Sequence, residues 1–154
     1  MEAAPRACSQ IFDCYARADE MSENREWDFV HSTCYLYIAF ACETDGVFTD
    51  EEKATIFQCV KEWVPDTDDD DIGAALKTAS GWLIEDCQGN GDGNKITNTM
   101  GGIAAIARET LDPKARENLL KDLVRISVAD LNFDEKEKEW IRYLAEVMEV
   151  DFKI

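Results

Sequence analysis

The sequence predicts an all-α protein of six or seven helices packed as a single compact domain. Three observations carry this prediction. Apolar residues recur at three- and four-residue spacing in one segment after another. No segment shows sustained alternation of β-branched and polar residues closed by hairpin turns. One pattern of helix, acidic turn and helix occurs twice, so that a shift of 85 residues carries Asp45 onto Asp130. At 154 residues the chain has the length of one domain.

Taken in order, residues 7–20 place Ala7, Ile11, Cys14, Tyr15 and Ala18 at helical spacing before the polar break Met21-Ser22-Glu23-Asn24. Residues 1–21 are therefore read as a peripheral helical extension, and 22–154 as the domain. Ser22 is placed to cap the next helix, which carries Trp27, Val30, Cys34, Tyr37, Ile38 and Ala41 on one face and Phe29, Leu36 and Phe40 on others. A helix apolar nearly all round must be covered on most sides, so this one belongs at the centre of the fold.

Thr49-Asp50-Glu51-Glu52 is a capping-box pattern opening a helix that buries Ile56, Cys59, Val60 and Trp63 until Pro65 stops it. Residues 65–71 form an acidic linker, whose aspartates also favour the positive end of the following helix dipole. That helix turns Ile72, Ala75, Leu76, Ala79, Trp82 and Leu83 inward and ends near Cys87. The glycines and asparagines of 88–98 read as a loop. A further helix carries Met100, Ile103, Ala104, Ala107 and Leu111. Asp112-Pro113 is a start signal, an N-cap aspartate with proline at the first helical position, for a helix through Leu119, Leu120, Leu123, Val124 and Ile126. The last helix follows an Asp134 cap and buries Ile141, Leu144, Ala145 and Met148.

The repeat extends beyond the two aspartates. The same shift superposes Phe48 on Phe133, Glu52 on Glu137, Lys53 on Lys138 and Ile56 on Ile141, while Cys59, Val60 and Trp63 fall on Leu144, Ala145 and Met148. The period is too long for a solenoid, so the chain reads as two related halves about an approximate two-fold axis. Two independent helix hairpins with the same capping chemistry are the alternative.

Charge narrows the function. With 33 Asp and Glu against 16 Lys and Arg, the net charge is −17. Such a field repels nucleic acid and anionic membrane surfaces and attracts divalent cations and basic proteins. Met1–Arg6 has an acidic residue and no apolar core, so no secretory signal is read and a cytoplasmic protein is expected. The run Phe29–Cys42 is too short to insert into a bilayer. Cys8, Cys14, Cys34, Cys42, Cys59 and Cys87 form no CxxC pair, and are expected to be reduced thiols packed mostly as small hydrophobes.

The candidate site is the pair of acidic turns, with Asp45, Glu52, Asp130 and Glu137 as metal ligands. If the halves pack with the turns adjacent, four carboxylates converge and a hard cation relieves their repulsion. Oxygen ligands without His or Cys select Ca²⁺, Mg²⁺ or Mn²⁺ over zinc. The competing reading has the aspartates satisfying backbone groups in the turns and the glutamates completing capping boxes. Asp45–Glu52 also fits the second half of a calcium-binding EF-hand loop, but Ala41 and Glu43 stand where its first ligands belong. The second copy lacks the glycine altogether, and the glycine-rich 90–97 stretch is out of register.

Asp45-Gly46 followed by Glu52, with Asp130 and Glu137 leading into a C-terminal Ile-Arg-Tyr-Leu-Ala-Glu helix, resembles the tellurite-resistance TerB family and the related DnaJ-like co-chaperone N-terminal domains. The resemblance spans roughly residues 25–150. Leu131 departs from the glycine usual after the second Asp, and residues 65–98 are not matched by these motifs. It implies an all-helical domain with a strongly acidic face and a divalent-cation site at the paired carboxylates. It further implies a protein partner in stress-response or membrane-associated assemblies, without demonstrated catalysis.

No other motif names a reaction. His31, the single histidine, lies in the core helix, and no phosphate-cradling glycine loop is present. The tryptophans read as packing. The sequence thus predicts a cytoplasmic, non-enzymatic domain that binds a cation or docks a basic or membrane-associated protein. A metal-dependent hydrolase and an EF-hand-like calcium sensor are the alternatives.

Overall fold

The computed structural model describes residues 25–45, 49–89, 94–129 and 133–154. The helix expected over 7–20 lies outside them. Six helices are described: α1 (Phe29–Asp45), α2 (Asp50–Trp63), α3 (Asp69–Gly89), α4 (Asn94–Thr110), α5 (Pro113–Val128) and α6 (Glu135–Met148). The described residues contain no strand, and none of their helices is long and apolar enough to cross a membrane.

α1 is the centre, as its composition requires. Every residue from Cys34 to Ala41 is buried, and α1 packs against all five other helices. Full burial of its Leu36, Ile38 and Phe40 contributes about 1.5–3 kcal/mol each. Its start differs from the expectation. Residues 25–28 are not helical, and the cap is Asp28, whose Oδ1 accepts the backbone N–H of His31 at 2.7 Å, in place of Ser22. The reason is tertiary: Arg25 and Trp27 are both buried and held against α3, which fixes the chain in a non-helical approach.

The two related halves are present in the packing. α2 and α6 are both 14 residues long, begin at positions related by the same shift, and open with complete capping boxes. α1 and α5 touch, and each also packs on both α2 and α6. At the α1–α5 contact Tyr37 donates to Asp122 at 2.6 Å, and these residues are themselves 85 apart. A residue meets its own repeat equivalent only near the axis relating the halves, so the approximate two-fold passes here.

Two connections are shorter than the sequence suggests. The acidic linker yields Asp69, Asp70 and Asp71 to the first turn of α3, while Asp68 Oδ1 accepts from the Asp70 N–H at 2.8 Å. The glycine-rich stretch is not a loop throughout. α3 runs on to Gly89 and α4 begins at Asn94, because Ile96, Thr99 and Met100 are buried on one helical face and Lys95 reaches back to Asp86 of α3 at 3.3 Å. Tertiary burial here overrides the turn preference of the local composition. At the other end, α6 stops where Glu149 adopts the left-handed region at φ 58°, letting the Val150 N–H close on the Ala145 carbonyl at 2.9 Å.

Candidate functional site

Of the four carboxylates read from the sequence, the described residues place the side chains of two. Glu52 and Glu137 are both fully buried. Glu52 Oε1 accepts the Thr49 backbone N–H at 3.0 Å, while Thr49 Oγ1 accepts the Glu52 N–H at 3.1 Å. Glu137 Oε1 accepts the Asp134 N–H at 3.0 Å, and Asp134 Oδ1 accepts the Glu137 N–H at 2.9 Å. The capping-box role is therefore realised for both glutamates, one oxygen each. Asp45 is the last residue of α1, its side chain outside the description, and Asp130 lies outside the described residues. The helices carrying Glu52 and Glu137 do not pack on each other but on α1 and α5 between them. Among the described residues, no group of three or more His, Cys, Asp and Glu side chains is arranged to hold a metal ion.

Two other carboxylates, unpredicted as functional residues, organise the polar interior. Asp86 of α3 is 1% exposed. It receives Arg25 through Nη1 at 3.2 Å and Nη2 at 2.8 Å, Tyr35 Oη at 2.6 Å and Lys95 Nζ at 3.3 Å. The Arg25 guanidinium also stands over the Trp27 and Trp82 rings, at 6.0 and 5.5 Å from their centroids. Burial opposes its charge, but hydrogen bonds and charge from Asp86 and Glu85 prevail and raise its pKa.

Asp122 of α5 is 7% exposed. Its Oδ2 accepts Tyr37 Oη at 2.6 Å and Trp63 Nε1 at 2.8 Å, and its Oδ1 meets Arg125 Nη1 at 3.5 Å. Arg125 makes a two-pronged pair with Glu62 of α2 at 2.8 and 3.3 Å. Hydrogen bonding from Arg125, against a smaller effect of burial, holds the Glu62 carboxyl below its ordinary value of 4.5. A cavity of about 420 Å³ opens here, lined by Glu62, Trp63, Asn118, Lys121, Asp122 and Arg125.

Burial, reinforced by the neighbouring aspartate, raises the pKa of both Tyr35 and Tyr37 far enough that they keep their protons and donate. A signal for these clusters existed in the sequence. Asp122 falls within the apolar stripe of Leu119, Leu123 and Ile126, and Asp86 lies one turn from Leu83. A carboxylate on a core-facing stripe demands buried partners.

The remaining candidates are structural. His31 bonds Asp28 at 2.7 Å and lies against Trp82, with ring centroids 5.5 Å apart. Cys34 and Cys59 are buried, and burial pushes both thiols up to about 12, which disfavours the thiolate. Cys87 is exposed, unlike the packed thiols expected. Trp63 and Trp82 do more than pack, the first as a hydrogen-bond donor and the second as a stacking surface for Arg25.

A family model described as tellurite resistance protein TerB matches residues 33–153, from within α1 to beyond α6. The chain belongs to the TerB family. No curated protein and no solved structure matches it.

Proposed function

We propose that this TerB-family protein is a non-enzymatic binding module that takes a divalent cation of the Ca²⁺, Mg²⁺ or Mn²⁺ class between its two acidic turns, within a tellurite-type stress response. Asp45, Glu52, Asp130 and Glu137 are the proposed ligands. The observation that carries this reading is the full burial of Glu52 and Glu137 at equivalent positions of the two halves. Each Oε1 is held by its own cap, which fixes the orientation of the carboxylate. The all-oxygen donor set suits a hard cation, which when bound supplies the positive charge that clustered carboxylates lack.

A second reading, docking of a basic protein, is favoured by the exposed aspartates Asp68, Asp69, Asp70 and Asp71 at the start of α3 in a chain of net charge −17.

The test is thermal unfolding of the full chain with and without each cation, beside calorimetric titration. Cation at a hundred times its Kd raises the unfolding free energy by about 2.7 kcal/mol, or roughly 5–10 °C in Tm for a domain of this size. Asp45→Ala combined with Asp130→Ala abolishes that shift. Absence of both heat and stabilisation with all three cations would leave only the docking reading.

A further inference from the structure

We infer that the cavity between α2 and α5 is a binding site for a small zwitterion of the α-amino-acid type. Its ammonium lies against Asp122 and Glu62, its carboxylate between Lys121 and Arg125, and its side chain against the Trp63 indole.

The charges of the lining select the ligand class. In a chain with twice as many acidic as basic residues, this cavity is lined by two carboxylates and two cationic groups. A purely cationic ligand meets Lys121 and Arg125, and a purely anionic one meets Glu62 and Asp122. A molecule carrying both charges on neighbouring atoms satisfies all four, with Asn118 as a further polar contact.

The site is fixed at its floor and adjustable at its rim. Trp63 is held by its Nε1 hydrogen bonds to Asp122 at 2.8 Å and Tyr37 Oη at 3.1 Å, and by an edge contact with Phe29 at 5.4 Å between centroids. Its indole is thus a preformed surface of the kind that lines small-molecule sites. Asp122 is anchored through Oδ2, whereas its Oδ1 meets Arg125 only at the long distance of 3.5 Å and accepts a stronger donor with gain.

At the rim, the Glu62 and Arg125 side chains are 50% and 42% exposed. An ion pair so open to water contributes little to stability, so a ligand can enter it at small cost. Arg125 then turns its two-pronged face to the ligand carboxylate and releases Glu62 to the ammonium. Lys121, about half exposed and 3.9 Å from Glu117, is equally available. None of the four carboxylates of the cation reading takes part, so neither result bears on the other.

The experiment is titration of the full chain with L-phenylalanine and L-leucine, following the Trp63 indole N–H by NMR with a Trp63→Phe variant to assign it. Phenethylamine and hydrocinnamate, each lacking one charge, are the controls. Saturable shifts of the Trp63 resonance are expected with the amino acids, and binding at least about tenfold weaker for either control. Glu62→Gln and Lys121→Met, both at exposed rim positions, weaken the amino acids by about tenfold each while shifting the melting curve no more than the loss of an exposed ion pair does. No shift at about 10 mM amino acid, the weak end of meaningful affinity, overturns the proposal. So does binding indifferent to both rim variants, or phenethylamine binding as tightly as phenylalanine.

Discussion

Asp86 and Asp122 begin from the same chemistry. Tyr35 and Tyr37 stand two residues apart on α1, about 200° around the helix, and send hydroxyls from opposite sides into the two carboxylates. Each aspartate has an arginine and a tryptophan nearby. What differs is the countercharge. Asp86 faces two cations, Arg25 and Lys95, whose side chains are 5% and 10% exposed. Asp122 has one, at the edge of contact and nearly half exposed. The first cluster is closed and ties the entry to α1 onto α3 and α4. The second leaves room beside it. The number and burial of the countercharges thus separate a structural lock from the wall of a cavity.

Asp86→Asn breaks this contrast with the largest effect. It removes the buried carboxylate that Arg25 and Lys95 share and leaves Arg25 with the exposed Glu85 at 3.0 Å, and removing one partner of a buried ion pair costs about 3–5 kcal/mol. Urea unfolding measures the loss. Asp122→Asn strands no buried cation, so its cost is that of weakened hydrogen bonds to a charged group, about 1.5–3 kcal/mol. Equal midpoints for the two variants would abolish the distinction.

Tyrosine truncation sharpens it. Tyr35→Phe is expected to lose about 1.5–2 kcal/mol, and Tyr37→Phe about 1 kcal/mol, because Trp63 remains on the same Asp122 oxygen. Paired unfolding curves order the two.

The smallest effect is in pH dependence. Glu62 has a folded pKa below its ordinary 4.5, so its pair with Arg125 contributes stability that is fully present above 4.5 and is lost as pH falls through the lower folded value. The difference in stability between the wild type and Glu62→Gln should therefore shrink below pH 4.5 and stay flat above it. A difference that widened on acidification would reverse the sign assigned here.

Local chemistry was legible in the sequence, and partnership across the chain was not. The capping boxes at Thr49–Glu52 and Asp134–Glu137 and the central, nearly all-apolar helix follow from residues within a few positions of one another, the repeat follows from comparing two such local patterns, and all are present. Both roles of Glu52 and Glu137 could be written down from the sequence, and the capping role is realised in the described residues. The start of α1 was misplaced because its position is set by Arg25 meeting Asp86, 61 residues away. The loop at 88–98 was overextended because Ile96 and Lys95 are drawn into helix by contacts that composition does not carry. The two aspartate clusters went unread because each tyrosine finds its carboxylate 51 or 85 residues on.

The contact between Tyr37 and Asp122 also bears on how such a fold can be built. Two identical chains around a true two-fold must present the same residue from both sides of the axis, here either a pair of tyrosines or two mutually repelling aspartates. A tyrosine facing a carboxylate at that point is open only to halves free to differ, as they are on one polypeptide. Covalent continuity therefore gives this protein an axial hydrogen bond from a tyrosine to a carboxylate, a pairing of unlike residues that no symmetric dimer of either half could make.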